Sequence, residues 1–394
     1  MKNSYLFLIP LVCIFFSCTQ NPERKLIQSA EKQLEYALEC TNKAMKETTK
    51  QGMVAPRSTE KNGDLRLIGP RDWCSGFFPG SLWYMYEFTG DDQWKERANE
   101  YTLRIEGEQF DTTNHDVGFK MFCSFGNGYR LTNNTHYKDV LFQSAETLSK
   151  RFNPVVGAIR SWDWNREVWK YPVIIDNMMN LELLFWVAQE SGDSTYYHIA
   201  DTHAMTTLKN HFRNDHSSYH VVDYDPETGE ARLKQTHQGY SNESTWSRGQ
   251  AWGLYGFTMA YRFTKNELYL KKAQDIADFL FSHPNLADDL VFYWDMSAPT
   301  IPNAPRDASA SCIAASALFE LCEYLPTQKE HYLTLARNVL KSLSDNYRAP
   351  LESNQGFLLL HSTGHLPGND EIDISINYAD YYYLEALSRS MKIQ

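Results

Sequence analysis

Two aspartates in this chain each open an apolar run. His115-Asp116-Val117-Gly118-Phe119 leads one, and Ile175-Asp176-Asn177-Met178-Met179-Asn180 leads another. A carboxylate in a first helical turn is ordinary, because the free backbone N–H groups there favour negative charge. Each of these Asp residues, however, heads a stretch rich in Phe, Met, Leu or Trp, the pattern of a helix buried on all sides. Two carboxylates that meet in an aromatic cleft can divide the work of acid and base, because their surroundings push their pKa values apart. Two readings stand for each Asp: a helix cap, or one half of a catalytic pair.

A third segment adds a cation. Residues 236–256 begin polar and turn-like and pass into a helix at Ser247, with Arg248 in its first turn. That is the wrong end of a helix for a positive charge, so Arg248 serves another purpose. It can hold a ligand carboxylate through two parallel hydrogen bonds, or it can make a structural ion pair. Gly249, Ala251, Gly253 and Gly256 leave room on this helix for a close neighbour.

The elements that must position these groups are mostly helices. Apolar spacing predicts them near 26–49, 76–89, 92–109, 117–129, 135–152, 177–190, 194–212, 248–263, 267–282, 308–323, 328–346 and 376–391. Thr89-Gly90-Asp91 and Ser191-Gly192-Asp193 punctuate successive helices. An aromatic apolar helix is followed by a short polar turn and then by a more polar helix. The pattern recurs at Tyr86–Trp94, Tyr129–Tyr137, Trp186–Tyr197, Tyr261–Tyr269 and Tyr324–Tyr332. Inner helices buried all round and outer helices with one wet face produce that alternation. Six such pairs in a ring make an all-α (α/α)6 barrel. An open superhelical array is the second architecture that fits. Residues 219–224 and 230–234 flank a turn and predict a β-hairpin, and 290–294 predicts a further short strand, both as excursions on the rim.

Composition narrows the partners. The 394 residues include 24 Tyr, 21 Phe and 10 Trp, and the formal net charge is −11. That charge argues against nucleic acid, whose binding needs a basic footprint. Lys2, the apolar stretch from Tyr5 to Phe16 and the pair Ser17-Cys18 predict a signal segment over 1–18 with Cys18 as a lipidated first mature residue. The expected chain is exported to a bacterial periplasm or envelope and meets membrane only through that anchor. One catalytic domain is expected over 25–394. Cys40, Cys74, Cys123, Cys312 and Cys322 show neither a disulfide framework nor a zinc motif. No metal cluster, phosphate loop or dinucleotide fingerprint appears, so neither cofactor nor metal is expected. The sequence is silent on oligomeric state.

Residues 236–256, with Asp72-Trp73-Cys74-Ser75-Gly76-Phe77-Phe78-Pro79-Gly80, the two Asp segments and the late Asp373-Ile374-Ser375-Ile376-Asn377-Tyr378-Ala379-Asp380-Tyr381, resemble the unsaturated glucuronyl hydrolases of glycoside hydrolase family 88. The likeness runs in order from about residue 30 to Tyr383. It implies an (α/α)6 barrel and an uncommon reaction. Such enzymes remove the Δ4,5-unsaturated uronic acid that polysaccharide lyases leave at a non-reducing end. They hydrate the C4=C5 enol ether instead of attacking the anomeric carbon, so the carboxylate-spacing rule for retaining and inverting glycosidases does not apply. By the resemblance, Asp176 is the general acid/base and Asp116 the second essential carboxylate. His220, Gln238, Trp246 and Arg248 match substrate-binding positions. Trp73 and His115 are expected in the same pocket, and Ser375 and Asn377 lie in a segment that could touch the ligand, with Ile374 bearing on tolerance for sulfate. Unsaturated rhamnogalacturonyl hydrolases, which use the same fold and chemistry on pectin fragments, are the near alternative. A sugar epimerase would need a paired histidine system. A non-catalytic glycan-binding lipoprotein would show no turnover.

Overall fold

In a computed structural model that describes residues 22–393, the helices fall into alternating layers. The predicted signal segment and Cys18 lie outside the described residues. After α1 (Pro22–Glu47) come α2 (Phe77–Thr89) and α3 (Asp92–Leu103), then α4 (Val117–Met121), α5 (Asn127–Thr132) and α6 (Thr135–Ser149). A π-turn at Phe122–Gly126 joins α4 to α5 as one bent inner helix. The chain continues through α7 (Leu181–Ser191), α8 (Ser194–Asn210), α9 (Ser247–Thr264), α10 (Glu267–Ser282), α11 (Ala308–Tyr324), α12 (Lys329–Asn346) and α13 (Asn377–Lys392).

Burial separates two rings. Every residue of α9 from Ser247 to Ala260 is buried. In α12 only one stripe is covered, with Tyr332, Leu333, Ala336, Val339, Leu340 and Leu343 at helical spacing. The inner ring closes on itself: α2 packs on α5 and α13, α7 on α4 and α9, and α11 on α9 and α13. With α1, α3, α6, α8, α10 and α12 outside, this is the (α/α)6 barrel that the alternating pattern predicts. The turns follow the local chemistry. Gly90 and Gly192 end α2 and α7 in the left-handed region, at φ 68° and 74°. Asp91 and Asp193 then cap α3 and α8 by accepting from the N–H groups of Gln93 and Thr195.

Six inner helices running the same way place six N-termini at one mouth, and the strands gather there. β1 (Ala55–Thr59) pairs with β2 (Leu65–Ile68), and β3 (Phe152–Asn153) with β4 (Ala158–Ile159). The predicted hairpin forms as β6 (Val221–Tyr224) and β7 (Ala231–Gln235), and β5 (Pro172–Ile174) joins it as a third antiparallel strand. The strand expected at 290–294 does not form. Its backbone makes an isolated bridge from Tyr293 to Arg306, and the Trp294 carbonyl accepts from the Ser247 N–H. With no neighbouring strand, that apolar run packs under the start of α9 instead.

Candidate active site

Strand β5 delivers Asp176. The Ile175 N–H donates to the His220 carbonyl at 3.0 Å, so the sheet sets Asp176 beside His220 at the start of a 3-10 segment, Ile175–Asn180. This segment lies against α9 at Gly256, where a Cβ would come within 2.5 Å of Met178 Cβ. Close contact there brings Asp176 near Arg248.

The other aspartate docks on the same segment. The Asn180 Oδ1 accepts from the Phe119 N–H at 2.7 Å, and the Asn180 side-chain amide donates to His115 Nδ1 at 3.2 Å. Any Cβ on Gly118 would meet Asn180 Cα at 2.5 Å. Asp116 stands at the N-cap of α4, but its side chain makes no capping bond. Asp176 lies one residue inside its 3-10 turn. The cap reading therefore does not account for Asp116.

Both carboxylates face a neutral histidine. His220 Nδ1 accepts from the backbone N–H groups of His237 and Gln238, each at 3.1 Å. Its proton therefore sits on Nε2, 3.7 Å from Asp176 Oδ2. Burial holds the His220 pKa well below the usual range, so the contact is not an ion pair. His115 is fixed in the same way, with Nε2 3.4 Å from Asp116 Oδ1 and its pKa lowered by burial.

Asp176 itself is pushed up to about 7, first by burial and further by the charge of Asp116. Arg248 and the indole N–H of Trp252 pull the other way. Asp176 Oδ2, His220 Nε2, His115 Nε2 and Trp252 Nε1 are all buried without a well-formed hydrogen bond. Buried polar atoms are nearly always partnered, so an orphan carboxyl oxygen and three orphan ring nitrogens on the two aspartate segments, α9 and the residue before β6 mark a place built to receive polar groups.

Arg248 departs from expectation. Its guanidinium donates to Asp307 Oδ2 at 2.6 Å and to the carbonyls of Thr363 and Gly364 at 2.6 and 2.5 Å. Three of five N–H groups are thus committed inside the protein, and the Trp246 ring covers it at 4.6 Å. The ion-pair reading is the one observed, and a grip on a ligand carboxylate through both terminal nitrogens is not free. What Arg248 supplies is a fixed positive charge near Asp176 and an anchor for the 363–364 backbone. Gln238 anchors the same place, donating to the Gly364 carbonyl at 3.1 Å.

Trp246 packs against the His220 ring at 4.5 Å, and Trp73 against Tyr378 at 4.9 Å and Phe119 at 5.7 Å. Asn377 donates to the carbonyls of Pro56 and Cys74, which ties α13 to the loop that carries Trp73. Ser375 is committed elsewhere: its hydroxyl donates to the Leu359 carbonyl and accepts from Asn354. Among the described residues no group of three or more His, Cys, Asp and Glu converges as metal ligands would.

Comparison with known proteins agrees with this fold. Residues 36–390 match the model of Glycosyl Hydrolase Family 88. The chain belongs to glycoside hydrolase family 88. An unsaturated glucuronyl hydrolase from Formosa agariphila is 51% identical over 331 residues, 84% of this chain and 82% of that protein. An unsaturated chondroitin disaccharide hydrolase from Streptococcus pneumoniae is 32% identical, covering 83% of each. A crystal structure of an unsaturated glucuronyl hydrolase specific for heparin superposes with a TM-score of 0.88 at 45% identity, covering 94% of this chain and 98% of that one.

Within the family fold, sequence reasoning missed three side chains. Trp252 lies one helical turn beyond Arg248, and that i, i+4 spacing was the available signal. Tyr378 follows Asn377 and keeps a buried, unpartnered hydroxyl beside Trp73. Trp162 stacks on Trp164 at 4.8 Å and meets the His220 ring edge-on at 5.8 Å, forming an aromatic shelf on the rim. No local pattern announced Trp162, because it reaches the site only through the docking of β5 and β6.

Proposed function

We propose that this family member removes the Δ4,5-unsaturated uronic acid from the non-reducing end of lyase-generated oligosaccharides of glycosaminoglycan type. The observation that carries the reading is the protonatable Asp176 carboxyl among unpartnered buried donors. The carboxyl gives its proton to C4 as the C4=C5 electron pair takes it up, and positive charge develops at C5 and the ring oxygen. Water adds to C5, and the Asp176 carboxylate accepts the proton that water sheds. The hemiketal at C5 then opens and the glycosidic link falls apart.

The neutral Nε2–H donors of His220 and His115 serve to orient oxygen atoms without competing for the proton. Asp116 holds ring hydroxyls and keeps Asp176 protonated by its charge. Six inner-helix N-termini and the fixed Arg248 favour an anionic sugar at this mouth of an acidic protein. An epimerase would need histidines that titrate, and burial keeps both of these neutral.

Supporting glycosaminoglycan-type substrates are the chondroitin and heparin specificities of the relatives. The test follows the ultraviolet absorbance of the unsaturated uronate on a panel of chondroitin- and heparin-derived disaccharides, with a pectin-derived unsaturated disaccharide beside them. Asp176→Asn is expected to lose about 10²–10⁴-fold in kcat, the usual share of a general acid/base, with KM little changed. Retained turnover in that variant would remove Asp176 from the chemistry, and turnover of the pectin fragment alone would reassign the substrate.

Export with a lipid anchor on Cys18 belongs to the same proposal. Its support is Lys2, the apolar stretch to Phe16 and the Ser17-Cys18 pair.

A further inference from the structure

The barrel has a second mouth. The inner helices end on the side opposite Asp176, and residues near those ends enclose a cavity of about 580 Å3. Small-ligand sites commonly span about 300–1,000 Å3 with aromatic walls and a few placed polar groups. Phe122, Tyr129, Trp186, Phe263 and Tyr324 line this one, each only half-buried. Tyr129, Trp186 and Tyr324 are the aromatics that open three of the recurring sequence spans. Packing the ring requires their bulk but not ring surface left wet in a hollow.

The floor is a lattice of paired charges. Arg262 bonds Glu320 at 2.7 Å and Glu182 at 2.5 Å, and Arg389 bonds Glu320 at 3.0 Å and approaches Glu385 at 3.7 Å. At the rim Arg130 and Lys392 both hold Glu87 at 2.8 Å. Glu323 holds Lys329, also at 2.8 Å. Among the described residues that line the cavity, each cation is thus matched by a carboxylate, and each carboxylate by a cation. Among them no free positive charge awaits a uronate, and converging helix C-termini disfavour an anion. Nor, among them, does an unmatched carboxylate await a free cation. What remains is ring surface above a neutral array of fixed donors and acceptors. That chemistry suits the C–H faces and hydroxyl groups of an uncharged sugar.

We propose that the far mouth is a binding site for a neutral saccharide of one or two rings, separate from the catalytic site. The inference stands on this cavity alone and does not depend on the reaction proposed above.

Cellobiose is the neutral probe, with choline chloride and sodium glucuronate as cationic and anionic counterparts. The Trp186 indole N–H resonance of tryptophan-labelled enzyme, assigned with Trp186→Phe, reports the cavity directly. Calorimetry on wild type, Trp186→Ala and Tyr129→Ala measures affinity. Cellobiose is expected to move the Trp186 resonance, and at least one alanine variant is expected to weaken cellobiose binding tenfold or more. Both variants should hydrate an unsaturated disaccharide within about twofold of wild type, since neither residue lies at the catalytic mouth. A Trp186 resonance that cellobiose leaves in place overturns the proposal. So does choline or glucuronate moving it where cellobiose does not, or cellobiose affinity that both substitutions leave intact.

Discussion

Ionisation of Asp176 sets the pH range over which the carboxyl can act as an acid. With a pKa near 7, kcat/KM is expected to fall tenfold per unit on the alkaline side of that value. Two substitutions should move this limb in opposite directions. Asp116→Asn removes a charge that raises the Asp176 pKa, so the limb shifts to lower pH. Trp252→Phe removes a donor that favours the ionised form, so the limb shifts to higher pH. Shifts of a few tenths to about one unit are expected for single neighbours, and pH–rate profiles of the two variants measure them. The same pKa has a cost in stability. A carboxyl whose folded pKa lies above its unfolded value of 3.8 contributes fully below that value, and the contribution is lost as pH rises to about 7. The loss is at most about 4 kcal/mol. Asp176→Asn should therefore raise Tm relative to wild type at pH 8, with the gain vanishing near pH 4. Melting curves at the two pH values check it, and an equal gain at both would show that ionisation is not the cause. At this scale the sequence marked Asp176 and Asp116 through their motifs, and His220 only through the family resemblance. It did not show that Arg248 would be spent on Asp307 and two carbonyls, because those partners stand 59, 115 and 116 residues away.

Elements bring the two carboxylates together, and one contact decides it. Gly118 lets the start of α4 lie directly on Asn180. Gly118→Ala puts a methyl group 2.5 Å from a backbone atom, an overpacking that costs about 1–3 kcal/mol. The expected result is a lower Tm, reduced kcat and an alkaline limb displaced downward, since Asp116 is moved from Asp176. Thermal melts and a pH–rate profile on one preparation read all three. The predicted helices formed, although 92–109 stops as an α-helix at Leu103 and is followed by a separate 3-10 turn over Glu106–Phe110, 117–129 is three pieces joined through a π-turn and 177–190 opens as a 3-10 segment. Periodicity does not separate those geometries from an ordinary α-helix. The 219–234 hairpin was legible from its turn residues. Strand β5 was not, because three residues of extended chain carry no pattern of their own and gain their place by pairing with β6.

Across the whole molecule, the alternation of buried and half-wet helices accounts for the closed double ring. It also gives the two mouths opposite character, with helix N-termini at one and C-termini at the other. The acidic surface needs that local polarity if an anionic sugar is to be held. A further expectation concerns the N-terminal segment: Cys18→Ala should move the protein from the membrane fraction to the soluble fraction of cells that express it, and immunoblots of the two fractions decide. The sequence alone determined the helical class, the alternation of helix pairs and the two aspartates as candidates, because helical periodicity, turn residues and short motifs are local properties of a chain. Tertiary structure alone decided that the charge of Asp116 acts on Asp176, that two histidines face them as neutral donors, that Arg248 is held from behind, and that a cavity lies at the far end. Each of those depends on contacts between residues far apart in the chain, whose energies of burial and pairing exist only after the ring has closed.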